Sequence, residues 1–149
     1  QLTSIRSTGI CWMSKSKVFA LPVRVYFQDT DAGGVVYHAS YVNFMERART
    51  EWMRSFGFTN AGLIKELGVV FVVRSLKLDY LKPAVLDDLL HVSAQLKEIG
   101  RSRVTLHQTL MRGEEILVEG EIHLVCVTLD TFKPVSVPDV LRQQWKNLV

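Results

Sequence analysis

The pattern of hydrophobic and polar residues first becomes regular at Phe19. Over residues 19–27 hydrophobic side chains alternate with their neighbours, and this period of two, rich in β-branched and aromatic residues, predicts a β-strand. Pro22 lies inside the strand and has no amide hydrogen to donate to a sheet partner, which favours an edge position. Residues 28–34 are rich in turn-forming residues and end the strand.

From Ala39 the spacing of hydrophobic residues changes to three and four. This spacing predicts an amphipathic helix of about four to five turns, with Gly57 as its stop. The predicted buried stripe contains Tyr41, Phe44, Met45, Ala48, Trp52, Ser55 and Phe56. A second, short helix is predicted over residues 60–67, ending at Gly68.

The rest of the chain is dominated by strand patterns. Four strands are predicted over residues 69–81, 90–97, 104–111 and 116–129. The loops between them are short, and a parallel return needs a dozen or more residues, so we expect an antiparallel meander. Residues 139–148 are a candidate C-terminal helix.

One helix stripe and one sheet face can bury each other, which predicts a two-layer α+β domain over residues 17–149. A single long helix covers a five-stranded sheet only in part, so association through strand edges or the open sheet face is expected. Met13 resembles a natural start, and residues 1–16 are therefore expected to be a leader or a disordered extension outside the fold.

Composition and charge narrow the classes of function. No hydrophobic run approaches the roughly 18–20 residues of a membrane-spanning helix. The first 28 residues hold four basic and no acidic residues, and the remaining 14 basic and 15 acidic residues leave the domain nearly neutral. This distribution argues against a nucleic-acid partner. Cys11 and Cys126 form no paired motif, so both thiols are expected to be free in a reducing compartment.

The densest group of reactive side chains spans residues 29–38, between the first strand and the long helix. Asp29 and Asp31 could serve as a base or a nucleophile, and Gly33 and Gly34 let the backbone approach a ligand closely. The helix start adds unpaired N–H groups that stabilise negative charge on an oxygen. These features suit acyl transfer, but they also suit a polar loop with an Asx turn and a capped helix.

Other chemistries fit the sequence less well. A strand followed by Asp-x-Asp also occurs in haloacid-dehalogenase phosphatases, but that motif needs glycine where Ala32 stands, and a parallel sheet. A metal site would need further histidine or carboxylate ligands beside the two acids, so no metal is expected. The chain contains no G-x-S-x-G, P-loop or G-x-G-x-x-G motif.

The same loop carries a family resemblance. Residues 26–41 read YFQDTDAGGVVYHASY, and they are followed by Phe44, ERAR at 46–49 and EW at 51–52. This pattern closely resembles the hotdog-fold acyl-CoA thioesterases of the 4-hydroxybenzoyl-CoA thioesterase-like branch, and within it the bacterial YbgC proteins associated with the Tol-Pal system. The motifs DYLKPA at 79–84 and DD at 87–88 extend the resemblance, which covers about residues 17–145.

The resemblance implies the architecture and the assembly. It implies a hotdog fold, in which a curved five-stranded antiparallel sheet wraps around one long central helix. It further implies a homodimer joined edge to edge, commonly paired into a homotetramer, with active sites at the subunit interface. A bacterial cytoplasmic location is expected, with room for peripheral association with the inner membrane.

The resemblance also assigns roles to residues of the loop and the helix start. Asp31 corresponds to the catalytic carboxylate, and the backbone N–H of His38 to the group that polarises the thioester carbonyl. Tyr37 and Tyr41 are implied close to the site, Tyr37 as one of the catalytic residues and Tyr41 in contact with substrate. Gly34 and Val35 are expected to border the substrate.

The phosphates of coenzyme A need cationic partners at the mouth of such a site. The available candidates are Arg74, Lys77, Lys82, Arg101 and Arg103. Of these, Arg74 and Lys82 are the residues predicted to bind the phosphates. Coenzyme A is part of the substrate and the product, and no cofactor is expected.

The implied reaction converts acyl-CoA and water into a carboxylic acid and coenzyme A. Asp31 would act as the nucleophile, through an acyl anhydride, or as a general base on water, and the sequence leaves both open. A thiolate, with a pKa of about 8.5, leaves readily enough for a carboxylate to suffice. An adaptor that binds acyl carrier protein or envelope-complex components is the alternative. A hotdog dehydratase ranks last, because no histidine stands in a matching context.

Overall fold

The computed structural model describes residues 11–13 and 18–149. The strands are β1 (Cys11–Met13), β2 (Val18–Arg24), β3 (Val69–Tyr80), β4 (Leu89–Ile99), β5 (Arg103–Arg112) and β6 (Glu115–Thr128). The helices are α1 (Ser40–Ser55), α2 (Asn60–Leu67) and α3 (Asp139–Trp145), with a short 3-10 turn at Phe27–Asp29. The five strands and the helices anticipated from the sequence are confirmed, and α2 ends at Gly68 in the left-handed conformation that favours glycine.

The strands form one antiparallel sheet in the order β1-β2-β4-β5-β6-β3. The meander is confirmed for β4, β5 and β6, but it is wrong for β3, which pairs along its whole length with β6. The cause is the connection over residues 81–88. Eight residues reach up to about 26 Å, enough to pass the roughly 14 Å of three strand spacings and start β4 beside β2.

The sheet also contains a sixth strand, β1, which lies within the segment expected to be a leader. Its three residues pair with Val18, Phe19 and Ala20 of β2. Pro22 lies beyond this pairing, where only β4 flanks β2, so its edge character holds within the described residues. The rest of the expectation for residues 1–16 falls outside the described residues.

Helix α1 packs its hydrophobic stripe against β2 and β4. The stripe is buried as expected, except that Met53 takes the place of Ser55, which is exposed, and of Phe56, which is half-buried. At the far end of α1 the ring of Trp52 stacks on that of Trp145 in α3 at 5.1 Å. The C-terminal helix therefore closes one end of the core.

One polar side chain crosses this core. Gln108 of β5 is fully buried, and its amide donates hydrogen bonds to the carbonyls of Met45, at 3.1 Å, and Ser93, at 3.0 Å. Its own oxygen accepts a hydrogen bond from Arg49 Nη1 at 3.0 Å. Gln108 thus ties the middle of α1 to β4 and β5.

Truncating this link will destabilise the protein. Gln108→Ala leaves several buried polar groups without a partner and opens a cavity, so we expect the free energy of unfolding to fall by about 2–4 kcal/mol. Urea unfolding followed by circular dichroism measures the change. Gln95→Ala, on the outward face of the neighbouring β4, should stay within about 0.5 kcal/mol of wild type. Equal effects of the two variants would contradict the role of Gln108.

Candidate active site

A tight turn places Asp31 between β2 and α1. The amide of Asp31 donates to the carbonyl of Val35 at 2.9 Å, and the amide of Gly34 donates back to the carbonyl of Asp31 at 3.0 Å. Gly34 has a φ of 82°, a left-handed conformation that other residues adopt with strain. The main chain therefore holds Asp31 in a fixed position before the helix begins.

The side chain of Asp31 is exposed and only half engaged. Its Oδ1 accepts a hydrogen bond from the amide of Gly33 at 2.8 Å. A side chain at position 33 would place its Cβ 3.1 Å from that oxygen, so glycine gives the carboxylate its room. Within the described residues Oδ2 has no hydrogen-bond partner and Asp31 forms no ion pair. The carboxylate is oriented, yet one oxygen is available for chemistry.

The neighbouring acid, Asp29, has a structural role instead. It is 8% exposed, and its Oδ2 accepts a hydrogen bond from the amide of Tyr26 at 2.8 Å. Its carbonyl accepts a second bond from the amide of Tyr37 at 2.8 Å. The structure thus gives different surroundings to two acids that their spacing alone leaves equivalent.

The start of α1 has no internal cap. Ala39 stands at the N-cap without a side-chain hydrogen bond, and no acidic residue occupies the first turn. Across the described part of the chain, the amides of His38 and Ala39 donate to no protein atom. Free N–H groups at the positive end of a helix dipole are suited to hold an oxygen that gains negative charge.

Two tyrosines fix the helix start against the segment after β3. The hydroxyl of Tyr80 donates to the carbonyl of His38 at 2.9 Å, and the hydroxyl of Tyr41 accepts from the amide of Ala84 at 3.0 Å. The two rings lie 5.5 Å apart, and the carbonyl of Ala84 accepts from the amide of Val36 at 2.9 Å. These contacts fix the peptide between His38 and Ala39, next to the free amide of His38.

Tyr41 therefore lies beneath the site, buried, with its hydroxyl committed to the backbone. Its expected contact with substrate stays a prediction. Tyr80 had no role assigned from sequence, because its partner is 42 residues away along the chain. Its position within the DYLKPA motif was the only available signal.

The tyrosine hydroxyls stay protonated at neutral pH. Burial raises the pKa of Tyr41, and the negative charges of Asp88 and Asp31 raise it further, against lowering contributions from the Ala84 hydrogen bond and Arg112. Burial also raises the pKa of Tyr80, with a smaller contribution from Tyr41.

The remaining loop residues border the turn. Tyr37 and His38 are exposed, with ring centroids 4.4 Å apart. Gly34 is exposed, whereas Val35 is half-buried and pairs with Val85. The structure brings all four to the loop that carries Asp31, and their contacts with substrate stay predictions.

Lys82 lies two residues beyond Tyr80 and so close to the helix start. Its Nζ forms an ion pair with Glu115 at 2.7 Å. Arg112 joins the same cluster, 2.7 Å from both Glu115 and Asp88. Hydrogen bonds from Lys82 and Arg112 lower the pKa of Glu115, which keeps that carboxylate charged. The charge of Lys82 is therefore already compensated within the chain.

Arg74 is not brought to Asp31 within one chain. It sits at a bulge in β3, six residues before Tyr80, and is therefore about 20 Å away along the strand. There it lines a surface groove with Arg103 and His123. Sequence reasoning placed Arg74 at the site mouth from charge alone, without the strand geometry.

The bond from Tyr80 to His38 can be tested by removing one oxygen. Tyr80→Phe loosens the peptide at the helix start, so we expect kcat on the best thioester to fall about fivefold to tenfold, with little change in thermal stability. Tyr26→Phe is the control. It removes a hydroxyl from an exposed ring between β2 and the turn of Asp31, and it should leave kcat unchanged. A Tyr80→Phe enzyme with full kcat would rule out this positioning role.

Two further findings concern metal binding and membrane spanning. Among the described residues, no group of three or more His, Cys, Asp or Glu side chains could hold a metal ion. In the same part of the chain, no helix has both the length and the hydrophobicity to span a membrane.

Comparison with known proteins shows the family of the chain. A sequence model of the thioesterase-like superfamily matches residues 25–145. The chain belongs to the thioesterase-like superfamily. It is 44% identical over 130 residues to the acyl-CoA thioesterase YbgC of Haemophilus influenzae, a match that covers 87% of this chain and 96% of that relative. The acyl-CoA thioester hydrolase YbgC of Escherichia coli O157:H7 is 42% identical over 131 residues, covering 87% and 97%.

Solved structures agree with the fold. The crystal structure of a probable thioesterase from Bartonella henselae superposes with a TM-score of 0.78 at 33% identity, covering 81% of this chain and 99% of that one. The expected hotdog fold is therefore confirmed for this thioesterase-like chain, as is the resemblance to the YbgC proteins.

Proposed function

We propose that this thioesterase-like protein hydrolyses acyl-CoA thioesters to a carboxylic acid and coenzyme A. The observations that support the proposal are an exposed, half-engaged Asp31 carboxylate and, seven residues later on the same loop, the free amide of His38 at an uncapped helix start. The family and the activities named for the YbgC relatives support the same reaction.

In the proposed mechanism, the thioester carbonyl oxygen accepts a hydrogen bond from the His38 amide. The dipole of α1 adds positive potential there, so the negative charge of the tetrahedral intermediate is stabilised. Tyr80 holds the next peptide through the carbonyl of His38, which restricts the rotation of the residue whose amide faces the substrate. These groups are in place before the substrate arrives and need no rearrangement during the reaction.

Asp31 acts on the carbonyl carbon in one of two ways. As a nucleophile, an oxygen of Asp31 bonds to this carbon, the C–S bond breaks, and water then cleaves the acyl anhydride. As a general base, Asp31 takes a proton from water, whose oxygen bonds to the carbon before the C–S bond breaks. The thiolate of coenzyme A is the leaving group in both routes and takes up a proton from solvent.

The proposed enzyme is a homodimer joined through β3. Among the described residues this 12-residue strand pairs only with β6, and an unpaired edge of that length attracts another strand. Val73 and Leu76 pair in register with Leu124 and Ile122, side chains of the buried sheet face, yet they are 45% and 42% exposed. A second copy would cover them. Two such dimers are proposed to form the tetramer.

For coenzyme A binding we retain Lys82 and Arg74 as proposed phosphate partners. Lys82 would release Glu115 and turn to a phosphate at the mouth of the site of its own chain. Arg74 lies too far along β3 to do so, and its contribution is proposed for the site of the partner copy.

A second candidate function is an adaptor for acyl carrier protein or for envelope components of the Tol-Pal system. The ring of Phe27 is 81% exposed, two residues before the loop over residues 29–38, and this exposed ring is the observation that favours a docking role. In either case we propose that the protein acts in the bacterial cytoplasm.

A thiol-release assay separates the two functions. The purified protein is mixed with short aliphatic, long-chain and aromatic acyl-CoA esters, and free coenzyme A is detected with a thiol reagent. The proposed function requires turnover of at least one ester class above the uncatalysed rate. No release from any ester would favour the adaptor.

A further inference from the structure

The loop that carries Asp31 is attached at its start to a segment that is remote along the chain, residues 83–88 between β3 and β4. The amide of Val25 donates to the carbonyl of Asp88 at 2.9 Å, and the amide of Asp87 donates back to the carbonyl of Val25 at 3.1 Å. Val25 itself is fully buried. These two hydrogen bonds fix the main chain just before the loop begins.

The same segment holds the loop at its other end. Val35, whose carbonyl accepts a hydrogen bond from the amide of Asp31 at 2.9 Å, forms an antiparallel bridge with Val85. Next to it, the amide of Val36 donates to the carbonyl of Ala84 at 2.9 Å. The turn that presents the catalytic carboxylate is therefore attached to this one segment on both sides, and a displacement of the segment would displace the turn.

The side chain of Asp88 closes this segment into a turn of its own. Its Oδ2 accepts a hydrogen bond from the amide of Val85 at 2.9 Å, while the amide of Asp88 donates to the carbonyl of Val85 at 3.2 Å. The side chain is only 16% exposed, so little water competes for the carboxylate. Because Val85 is the residue bridged to Val35, Asp88 supports the contact that lies behind the Asp31 turn.

The guanidinium of Arg112 ties the segment to the sheet. Its Nη1 donates to Oδ2 of Asp88 at 2.7 Å and to the carbonyl of Pro83 at 3.4 Å, and its Nη2 donates to Glu115 at 2.7 Å. Arg112 ends β5 and Glu115 begins β6, so one planar group joins a hairpin of the sheet to both ends of the segment. Charged hydrogen bonds from such a fork fix geometry closely, whereas a partly exposed ion pair adds little to stability.

We propose that Arg112 and Asp88 are positioning residues for thioester hydrolysis and that they act by fixing the turn of Asp31. The inference rests on the proposed function. Neither side chain needs to touch the substrate, because the effect passes through the main chain of residues 83–88. A misplacement of about 1 Å at a reacting group can cost about 100-fold in rate, so a looser turn should slow the chemical step more than it weakens substrate binding.

Arg112→Gln tests the proposal by kinetics. For the best acyl-CoA ester, kcat per folded molecule should fall about tenfold while KM changes less than about twofold. Arg112→Lys keeps the charge but lacks the fork, so it should recover only part of the lost kcat. Arg142→Gln is the matched control, because Arg142 also binds two main-chain carbonyls at 3.0 Å, but on the loop after β4. It should leave kcat unchanged.

Amide hydrogen exchange gives a second measurement, which does not depend on activity. The amides of Asp31 and Val36 donate within the protein, so they should exchange slowly in wild type. In Arg112→Gln both should exchange about tenfold faster, while the amides of the paired strands β5 and β6 keep their rates. Unchanged exchange at Asp31 and Val36 would overturn the proposal, as would an equal rise at every amide, which would mark a general loss of stability.

The outcomes also separate this inference from the proposed function. Turnover of acyl-CoA esters with the same kcat in wild type and Arg112→Gln overturns the positioning role alone. Absence of turnover with every ester overturns the hydrolase and, with it, the positioning role. A lower kcat in Arg112→Gln at an unchanged KM, together with faster exchange confined to the loop, supports both.

Discussion

Asp31→Asn should lower kcat for the best acyl-CoA ester by about 1,000-fold or more. The amide that replaces the carboxylate can neither form the anhydride nor take a proton from water. Oδ1 of the new side chain can still accept the bond from Gly33, so the turn should keep its shape. Steady-state thiol release measures the rate, and thermal unfolding should show a melting temperature close to that of wild type.

The control for this variant is Asp29→Ala, on the same loop. It leaves the amide of Tyr26 without its acceptor in a largely buried place, so the free energy of unfolding should fall by about 1–3 kcal/mol. Activity per folded molecule should fall far less than in Asp31→Asn. The reverse pattern, with activity lost only in Asp29→Ala, would assign the chemistry to Asp29 and contradict the role of Asp31.

Leu76→Lys should convert the proposed dimer into a monomer and lower kcat/KM by about 100-fold. Leu76 stands on the free edge of β3, and a lysine there adds a charge to both copies at the join, a device by which natural edge strands avoid pairing. Light scattering after size-exclusion chromatography gives the mass. The loss of activity follows if the site is completed by the partner copy.

Val140→Lys is the matched control, because it also replaces an exposed hydrophobic side chain by lysine, but on α3. It should leave mass and activity unchanged. A Leu76→Lys protein that stays dimeric would move the interface away from β3. A fully active monomer would show that one chain holds a complete site.

The elements of the fold were predictable because their signals are local. The period of two in β2 and the spacing of three and four in α1 depend only on neighbours in sequence. The partner of β3 was not, since its pairing with β6 joins Val69 to Thr128, which lie far apart along the chain. A short loop predicts the direction of the next strand. The eight residues 81–88 after β3, however, are long enough for β4 to start beside a strand other than β3.

For the candidate site, too, local features were predictable and contacts between distant parts of the chain were not. A carboxylate and a helix start close in sequence indicated the loop, and the family resemblance selected Asp31. The physical difference between the two acids, the bond from the amide of Tyr26 to Asp29, appears only in the fold. Tyr80 reaches the site only through the fold.

The basic residues show where reasoning from composition fails. Their positive charge made Lys82 and Arg74 equal candidates for binding the phosphates of coenzyme A. The fold puts Lys82 beside the site but in an ion pair with Glu115, and it puts Arg74 about 20 Å along β3. Position along a strand and local neutralisation are both properties of the folded chain.

The most direct test of the Asp31 chemistry is a single-turnover experiment with enzyme in excess over one acyl-CoA ester. Excess enzyme isolates the chemical step from product release, so thiol appearance reports cleavage of the C–S bond. Wild type should release one thiol per ester within the mixing timescale, whereas Asp31→Asn should hold the intact ester without releasing thiol. Equal single-turnover rates for the two proteins would contradict a carboxylate mechanism at this helix start.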